Sequence, residues 1–212
     1  MKTHSRLLPA VVLIAAVAPV ALGQTFTPVT SGPVVTELGA WRSVHWVDYD
    51  RDGDLDLFVT RGKVGGQDNV LFRNDGPPFY TFTRMSSLVI SQDHEPSDGS
   101  SWGDYDNDGN VDCFVANWYN RDNLLYRSDG GGDFSRITSG PVVTSGGYSE
   151  TGSWGDYNND GLLDLYVANS AGTRKNMLFK NLGNGQFSRI LTGPIVNDAE
   201  NTRGVSWIDY DE

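Results

Sequence analysis

The sequence is poor in the residues that build most covalent cross-links and catalytic centres. Cys113 is the only cysteine among 212 residues, so no disulfide can form within the chain. His45 and His94 are the only histidines after residue 23, and neither stands beside a serine in a recognisable catalytic motif. No histidine or cysteine is placed for a zinc or copper site. The sequence therefore assigns no catalytic residues, and Cys113 is predicted to be a small buried hydrophobe.

Basic residues are also scarce. The chain has 16 lysines and arginines against 27 aspartates and glutamates, which gives a net charge of −11. A protein that binds the phosphate backbone needs the opposite balance, so nucleic acid is excluded as a partner. The negative charge suits cations, basic partners or solubility instead.

Only one long apolar run is present, and it lies at the N-terminus. Residues 7–22 follow a short basic start with Lys2 and Arg6, and small residues precede Gln24. These features are typical of a secretory signal peptide, so we predict that residues 1–23 are cleaved and that the protein is secreted, extracellular or periplasmic. A single membrane anchor is the alternative, but the run is short for a bilayer span. No membrane span is predicted after cleavage. An exported chain without disulfides needs another stabilising cross-link, and a bound metal is a natural candidate.

The rest of the chain repeats itself. Four tryptophans at spacings of 56, 52 and 53 residues each precede an acidic stretch: Trp46, Trp102, Trp154 and Trp207. After each of the first three come an Asn-x-Leu-aromatic piece, a Gly-rich turn and a Phe-x-Arg piece. Repeat units therefore start near 42, 98 and 150, with a truncated copy at 203, and residues 24–212 form one repeat region. The tryptophans are predicted to pack in the core or between units.

Each unit is predicted to form four short strands separated by turns rich in Gly, Asn and Asp. Strand A ends at the tryptophan, strand B follows the acidic stretch, as at Leu55–Thr60, strand C is the Asn-x-Leu-aromatic piece and strand D is the Phe-x-Arg piece. Four strands in about 50 residues is the size of one β-propeller blade. The predicted fold class is all-β, a partial β-propeller of four-stranded antiparallel blades, with about three full blades and half-units at both ends. The stretch from Phe26 matches the end of a unit and is predicted to supply an outer strand. Closed propellers need about four to eight blades. We therefore expect a fragment of a longer protein or, alternatively, a three-blade module that assembles with other copies.

An acidic loop links strands A and B in every unit. If its first aspartate is position 1, oxygen-bearing side chains recur at positions 3, 5 and 9, and glycine recurs at position 6. The predicted ligand positions 1, 3, 5, 7 and 9 are Asp48, Asp50, Asp52, Asp54 and Asp56 in the first loop, Asp104, Asp106, Asp108, Asn110 and Asp112 in the second, and Asp156, Asn158, Asp160, Leu162 and Asp164 in the third.

This spacing fits calcium, which takes roughly six to eight oxygen ligands at about 2.3–2.6 Å. A tight loop can aim alternate side chains at one centre, and glycine allows the turn that brings the position 7 carbonyl inward. Leu162 implies that position 7 acts through its backbone oxygen, whereas the position 9 carboxylate can close the shell. Asn158 removes one charge, so the third site is expected to bind more weakly. About three Ca²⁺ sites are predicted.

The acidic loops fit an EF-hand, a magnesium site or a plain solvated turn less well. An EF-hand shares positions 1, 3, 5 and 6 but needs a glutamate at position 12 and flanking helices. Val59, Val115 and Val167 occupy position 12 here, so an EF-hand is rejected. Magnesium is disfavoured because it prefers a strict octahedron that keeps several waters. Solvated acidic hairpin turns are the remaining alternative, and three copies with one spacing argue against them.

The pattern W-G-D-Y-D-x-D-G-x-x-D-x-x-V-A-N, followed by N-x-L-F/Y-R/K-N-x-G-x-x-F, resembles FG-GAP or VCBS-type repeats over nearly all of residues 26–212. These repeats are the calcium-binding blades of integrin-alpha-like propellers and of many bacterial secreted proteins. The resemblance implies a structural calcium ion between strands A and B of each blade. It also implies a role in adhesion or ligand binding, seldom in catalysis by the propeller itself.

Partners are expected to be an extracellular protein or a carbohydrate ligand. In a propeller the B–C loops lie opposite the acidic loops, and here they vary most in sequence. Trp118, Tyr119 and Arg121 form an unusual cluster that could stack on a sugar or grip a protein. The alternative is a rim that merely covers the sheet. For the whole molecule, the alternative function is the non-catalytic or catalytic propeller part of a carbohydrate-active enzyme such as a polysaccharide lyase.

Overall fold

The computed structural model describes residues 26–171 and 175–208. Three predicted features lie outside these ranges: the signal peptide at 1–23, the tip of the third B–C loop at 172–174, and the acidic residues Asp209 and Asp211. Within the described ranges, no helix is long and apolar enough to span a membrane.

Three four-stranded antiparallel sheets make up the fold, and in each sheet the strands pair in chain order. This arrangement confirms the prediction of an all-β chain with propeller-type blades. The first sheet contains β1 (Trp41–Val47), β2 (Asp56–Arg61), β3 (Val70–Asn74) and β4 (Phe82–Arg84). The second contains β5 (Ser97–Gly103), β6 (Asp112–Asn117), β7 (Leu124–Gly130) and β8 (Asp133–Ile137). The third contains β9 (Ser149–Gly155), β10 (Asp164–Asn169), β11 (Met177–Asn181) and β12 (Phe187–Ile190).

The pairing register of the first two strands is the same in every sheet. The residue after the tryptophan pairs with the position 9 aspartate: Val47 with Asp56, Gly103 with Asp112, and Gly155 with Asp164. Positions 1–8 of the acidic loop therefore span the same gap in all three blades. This common register places the acidic loop between the first strand of each sheet and its buried second strand.

The second strand of each blade is the most deeply buried. All residues of β6 and β10, and all but one of β2, are buried, including their polar ends. Neighbouring sheets cover both faces of β6. The outer face of the first sheet packs against Val34, before β1, and that of the third sheet against Val196, after β12. One apolar cluster includes Phe58 of the first sheet and Tyr126 of the second, and another includes Phe114 of the second and Phe179 of the third. Cys113 is buried in the first of these clusters, as predicted.

Three of the four tryptophans pack between units, as predicted. Trp102 meets Phe58 of the first sheet edge-on, with ring centroids 5.3 Å apart. The indole N–H groups of Trp154 and Trp207 donate to main-chain carbonyls of the preceding blade, at 3.3 and 3.1 Å. Trp46 is the exception, because the described chain places no sheet before it, and 58% of its surface is exposed.

The stretch from Phe26 does not form the predicted outer strand. Residues 26–32 have no regular structure, and Phe26 is 91% exposed. The Gly-Pro sequence that follows begins a one-turn helix, α1 (Pro33–Thr36), and the corresponding stretch after the third sheet forms α2 (Pro194–Asn197). Proline at the first helical position favours this turn because its fixed φ is already helical.

Candidate metal centres

The position 1 carboxylate folds each acidic loop by accepting main-chain N–H groups from its far side. In the second loop, Asp104 accepts from Asp108 at 3.0 Å and from Gly109 at 2.8 Å. Asp156 makes the same two bonds in the third loop, and Asp48 accepts from Gly53 in the first. The position 6 glycines have φ between 85° and 93°, a conformation that glycine adopts without strain. The loop is therefore prefolded around position 1.

Position 9 has a role that the sequence did not indicate. The two oxygens of Asp112 accept main-chain N–H groups from Tyr105 in the loop, at 3.0 Å, and from Ser128 in β7, at 2.8 Å. The equivalent bonds are made by Asp56 and Asp164, and all three aspartates are fully buried. Position 9 thus ties the acidic loop to the third strand of its blade.

Burial raises the pKa of Asp56 to about 6 and that of Asp112 to about 7, although the main-chain N–H groups act in the opposite direction. The cause is desolvation of a carboxylate that has no counter-charge beside it. A cation in the loop would favour the charged form of both groups.

In the first two loops, the buried carboxylate oxygens without a hydrogen bond lie at position 3 and, in the first loop, also at position 1. Asp50 and Asp106 each have a buried Oδ1 atom without a hydrogen bond among the described residues, and so does Asp48. Burial, followed by the neighbouring Asp52 and Asp108 carboxylates, raises the pKa of Asp50 and of Asp106. A buried carboxylate oxygen without a partner is costly, and a cation would satisfy it.

The spread of the oxygens agrees with one calcium ion in each of the first two loops. Carboxylate oxygens of Asp48, Asp50 and Asp56 lie within 4.8 Å of one another in the first loop. Oxygens of Asp104, Asp106 and Asp108 do so in the second. Two oxygens that each lie about 2.5 Å from one ion are at most about 5 Å apart. The residues of the first two loops therefore fit the ion that the sequence predicts.

Positions 5 and 7 are linked in each loop. The position 5 carboxylates of Asp52, Asp108 and Asp160 accept the main-chain N–H of position 7 at 2.9, 2.8 and 3.1 Å. The position 7 side chains lie beside the glycines of the C–D turns, Gly76, Gly130 and Gly183. This placement is consistent with the expectation that position 7 offers its carbonyl, because its side chain is turned to the neighbouring turn.

The third loop differs from the other two in its side-chain contacts. The Asn158 amide donates to Asp164 at 3.2 Å, and the Lys180 ammonium lies 3.3 Å from Asp160. Main-chain N–H groups, that of Gly161 first, lower the pKa of Asp156. No described side chain of this loop has a buried oxygen without a partner.

Neighbouring loops also touch, which the sequence did not indicate. The position 4 side chain of the first loop, Arg51, donates to Asn110 of the second at 3.3 Å. Asn107, at position 4 of the second loop, donates to the carbonyl of Gly161 in the third at 3.1 Å. The acidic loops therefore form one connected edge of the molecule.

The predicted ligand cluster lies at the opposite ends of the strands. Tyr119 and Arg121 line a cleft of about 280 Å³ together with Val64, Gly65 and Pro96. Trp118 does not line this cleft; its ring lies behind, 5.8 Å from Tyr119 and 5.7 Å from Tyr148. Arg121 makes a two-pronged ion pair with Glu95 at 2.7 and 3.0 Å. Two of the three predicted residues thus meet in one cleft.

A set of four charged residues was missed in the sequence, three in the first strands of the sheets and one in the segment after the third sheet. Arg42, Asp98, Glu150 and Arg203 each stand four residues before a tryptophan. Bulges at this point of β1, β5 and β9 interrupt the pairing. Burial, followed by Glu150, raises the pKa of Asp98 to about 6, and Arg203 contacts Glu150 at 3.1 Å. Alignment of the repeat units by their tryptophans would have revealed this column of charge.

Comparison with known proteins agrees with the repeat pattern. The sequence model of the FG-GAP-like repeat matches the chain twice, at residues 104–167 and 156–212. A comparison with curated proteins gave no match. The two matches together cover just over half of the chain, and the first blade precedes them with the same strand order and the same loop spacing. The chain therefore belongs to the FG-GAP-like repeat family, as a β-propeller-type repeat module.

Proposed function

We propose that this chain is a secreted, calcium-stabilised binding module. The observation that carries the proposal is the pair of buried, unpartnered carboxylate oxygens at position 3, on Asp50 and Asp106. Positions 1, 3, 5 and 9 would hold the ion through carboxylates, and position 7 through its carbonyl. The calcium would supply positive charge that offsets carboxylate repulsion and links the acidic loop to the second strand. The protein would use the ion for stability and not for chemistry.

Calcium binding by the full chain tests this proposal directly. In equilibrium dialysis, Asp50→Asn and Asp106→Asn should each weaken one site by about tenfold or more, because each loses a charged ligand. Asp198→Asn is the matched control, since Asp198 is exposed and lies outside the acidic loops, at the end of α2. Absence of bound calcium at millimolar concentration would defeat the proposal, as would equal binding by the position 3 variants and the control.

We further propose that the cleft between the first two B–C loops binds an extracellular ligand, a carbohydrate or a protein. Tyr119 is 41% exposed and is backed by Trp118 and Tyr148, so its ring offers a supported apolar face. The Arg121–Glu95 pair at the same cleft offers planar donors and acceptors. An aromatic face beside paired polar groups is suited to a sugar ring or to a protein side chain.

Glycan-array binding and protein pull-down with the calcium-loaded chain test the cleft. Tyr119→Ala should weaken the affinity for any ligand found by about tenfold, which corresponds to about 1.4 kcal/mol. Tyr80→Ala is the matched control, because Tyr80 is similarly exposed but lies in the first C–D turn. Equal loss in both variants would contradict the assignment of the cleft. Turnover of a polysaccharide would instead favour the alternative of a carbohydrate-active enzyme.

A further inference from the structure

We propose that Lys180 is a built-in counter-ion of the third acidic loop, so that this loop binds calcium much more weakly than the other two. The inference rests on the proposed function, because it presumes that the first two loops bind calcium. It goes beyond that function in two ways. It names a residue outside the loop that weakens calcium binding, and it places the cause of the difference between the loops in the neighbouring turn.

The three blades carry a basic residue at the same place in the third strand, but its partner differs. Arg73 and Arg127 pair with Asp75 and Asp129, at 2.9 and 2.8 Å, outside the acidic loops. Lys180 instead reaches into the loop and lies 3.3 Å from Oδ2 of Asp160, the position 5 residue. In two blades the cation thus forms its ion pair outside the loop and acts on Asp50 or Asp106 only at longer range, whereas in the third it forms its ion pair with the loop itself.

The residue two places further along the strand explains the difference. Asp75 and Asp129 provide a carboxylate for the preceding arginine, whereas the third blade has Leu182 at this point. Leu182 is 56% exposed and has no polar side-chain atom with which to hold Lys180. Among the described residues, Lys180 therefore has no carboxylate partner within its own turn, and it pairs with Asp160 of the loop.

Asn158 provides a second contact that offsets negative charge within the third loop. Its amide donates to Oδ2 of Asp164 at 3.2 Å, so the position 9 carboxylate has a side-chain donor that the other loops lack. In those loops the position 3 residues, Asp50 and Asp106, each retain a buried oxygen without a partner. The third loop thus satisfies internally the oxygens that a cation would satisfy in the others.

Charge decides the expected order of affinity. The first two loops have four carboxylates each at positions 1, 3, 5 and 9, whereas the third has three carboxylates and the Lys180 ammonium. The third loop is therefore less negative by two charges, and calcium affinity in such loops follows the charge of the ligands. Lys180 and Asp160 are each about one-third exposed, so their attraction is screened, and calcium at high concentration can displace the ammonium.

Calcium titration of the full chain, with native mass spectrometry to count the bound ions, tests the inference. The natural sequence should bind two ions, and a third only at a concentration at least about tenfold higher. Lys180→Met should lower the concentration needed for the third ion by severalfold. Lys180→Met with Asn158→Asp should give three sites of comparable affinity. Leu182→Asp should strengthen the third site while Lys180 is kept, because it restores the partner within the turn.

Arg73→Met is the matched control, since it removes the equivalent cation from the first blade, and it should change the first site by less than about threefold. Three equal sites in the natural sequence would overturn the inference and leave the proposed function intact. An unchanged third site in Lys180→Met and in Leu182→Asp would also overturn it. Failure of every loop to bind calcium would overturn the proposed function and, with it, the inference.

Discussion

Chelation of calcium should lower the melting temperature of the folded chain by about 10–20 °C. Binding to the folded state alone adds about 2.7 kcal/mol per site when calcium is present at 100 times its dissociation constant. Two such sites add about 5 kcal/mol, and in a domain of this size each kcal/mol is worth about 2–4 °C. Calcium should bind the folded state and not the unfolded chain. The loop carboxylates come together only when β1 pairs with β2 and β5 pairs with β6.

Thermal melts followed by circular dichroism, with calcium and then with a chelator, measure this shift. The double variant Asp50→Asn with Asp106→Asn should melt at nearly the same temperature in both conditions, since it lacks the position 3 charge in both strong sites. Magnesium should restore little of the lost stability, because it resists dehydration by a cage of this kind. A melt that does not respond to chelation in the natural sequence would contradict calcium stabilisation.

Trp154→Ala should cost about 3 kcal/mol of unfolding free energy, although its side chain is not among the proposed ligands. The Trp154 ring stacks on Tyr105 of the preceding blade, with centroids 5.8 Å apart, and its N–H donates to Ser101. Gly103 lies directly beneath the ring. Truncation would therefore leave a cavity between the second and third blades, and large-to-small changes at such positions cost about 3–5 kcal/mol.

Trp46→Ala provides the comparison, because it deletes the same side chain at the same place in a repeat unit. Trp46 is 58% exposed, and in the described part of the chain its one ring contact is a tilted one with Phe82 at 6.2 Å, so its loss should cost less than about 1 kcal/mol. Urea unfolding in the presence of calcium measures both variants. Similar losses for the two tryptophans would show that packing between blades is not what makes Trp154 important.

Much of the fold could be predicted because the repeat unit is local. The acidic loop, the strand that follows it and the Asn-x-Leu-aromatic strand are short segments whose spacing recurs three times, so each copy supports the assignment of the others. Strand bounds differ from the prediction by about one residue, as for β2, which was expected at Leu55–Thr60 and lies at Asp56–Arg61. The prediction was wrong for the stretch at Phe26, because a strand forms only where a neighbouring edge accepts its hydrogen bonds.

The sequence predicted which residues of the acidic loops carry oxygen atoms, but it did not predict the hydrogen bonds that those oxygens make. Spacing placed Asp112 among the ligand candidates, yet its two hydrogen bonds to Tyr105 and Ser128 depend on how β7 lies beside β6. The hydrogen bonds of Asp93 could not be predicted from the sequence either. It is buried, accepts from Tyr126 of the next blade and from Asn69, and has its pKa raised to about 6 by burial. Nothing in its local sequence marks it as a buried link between blades.

The sequence by itself determined the repeat, the blade, the position of the acidic loops and the oxygen-rich chemistry of those loops. These features depend on residues close together in the chain, where spacing and backbone preference decide the geometry. The tertiary structure alone decided which loop carboxylate oxygens have a cation or a hydrogen-bond donor beside them and which have neither. Lys180 and Asp160 stand 20 residues apart in sequence, and they meet only because β10 and β11 pair and Leu182 offers no nearer partner. Electrostatic interaction depends on distance in space, and distance in space was settled by strand pairing and by the packing of one blade on the next.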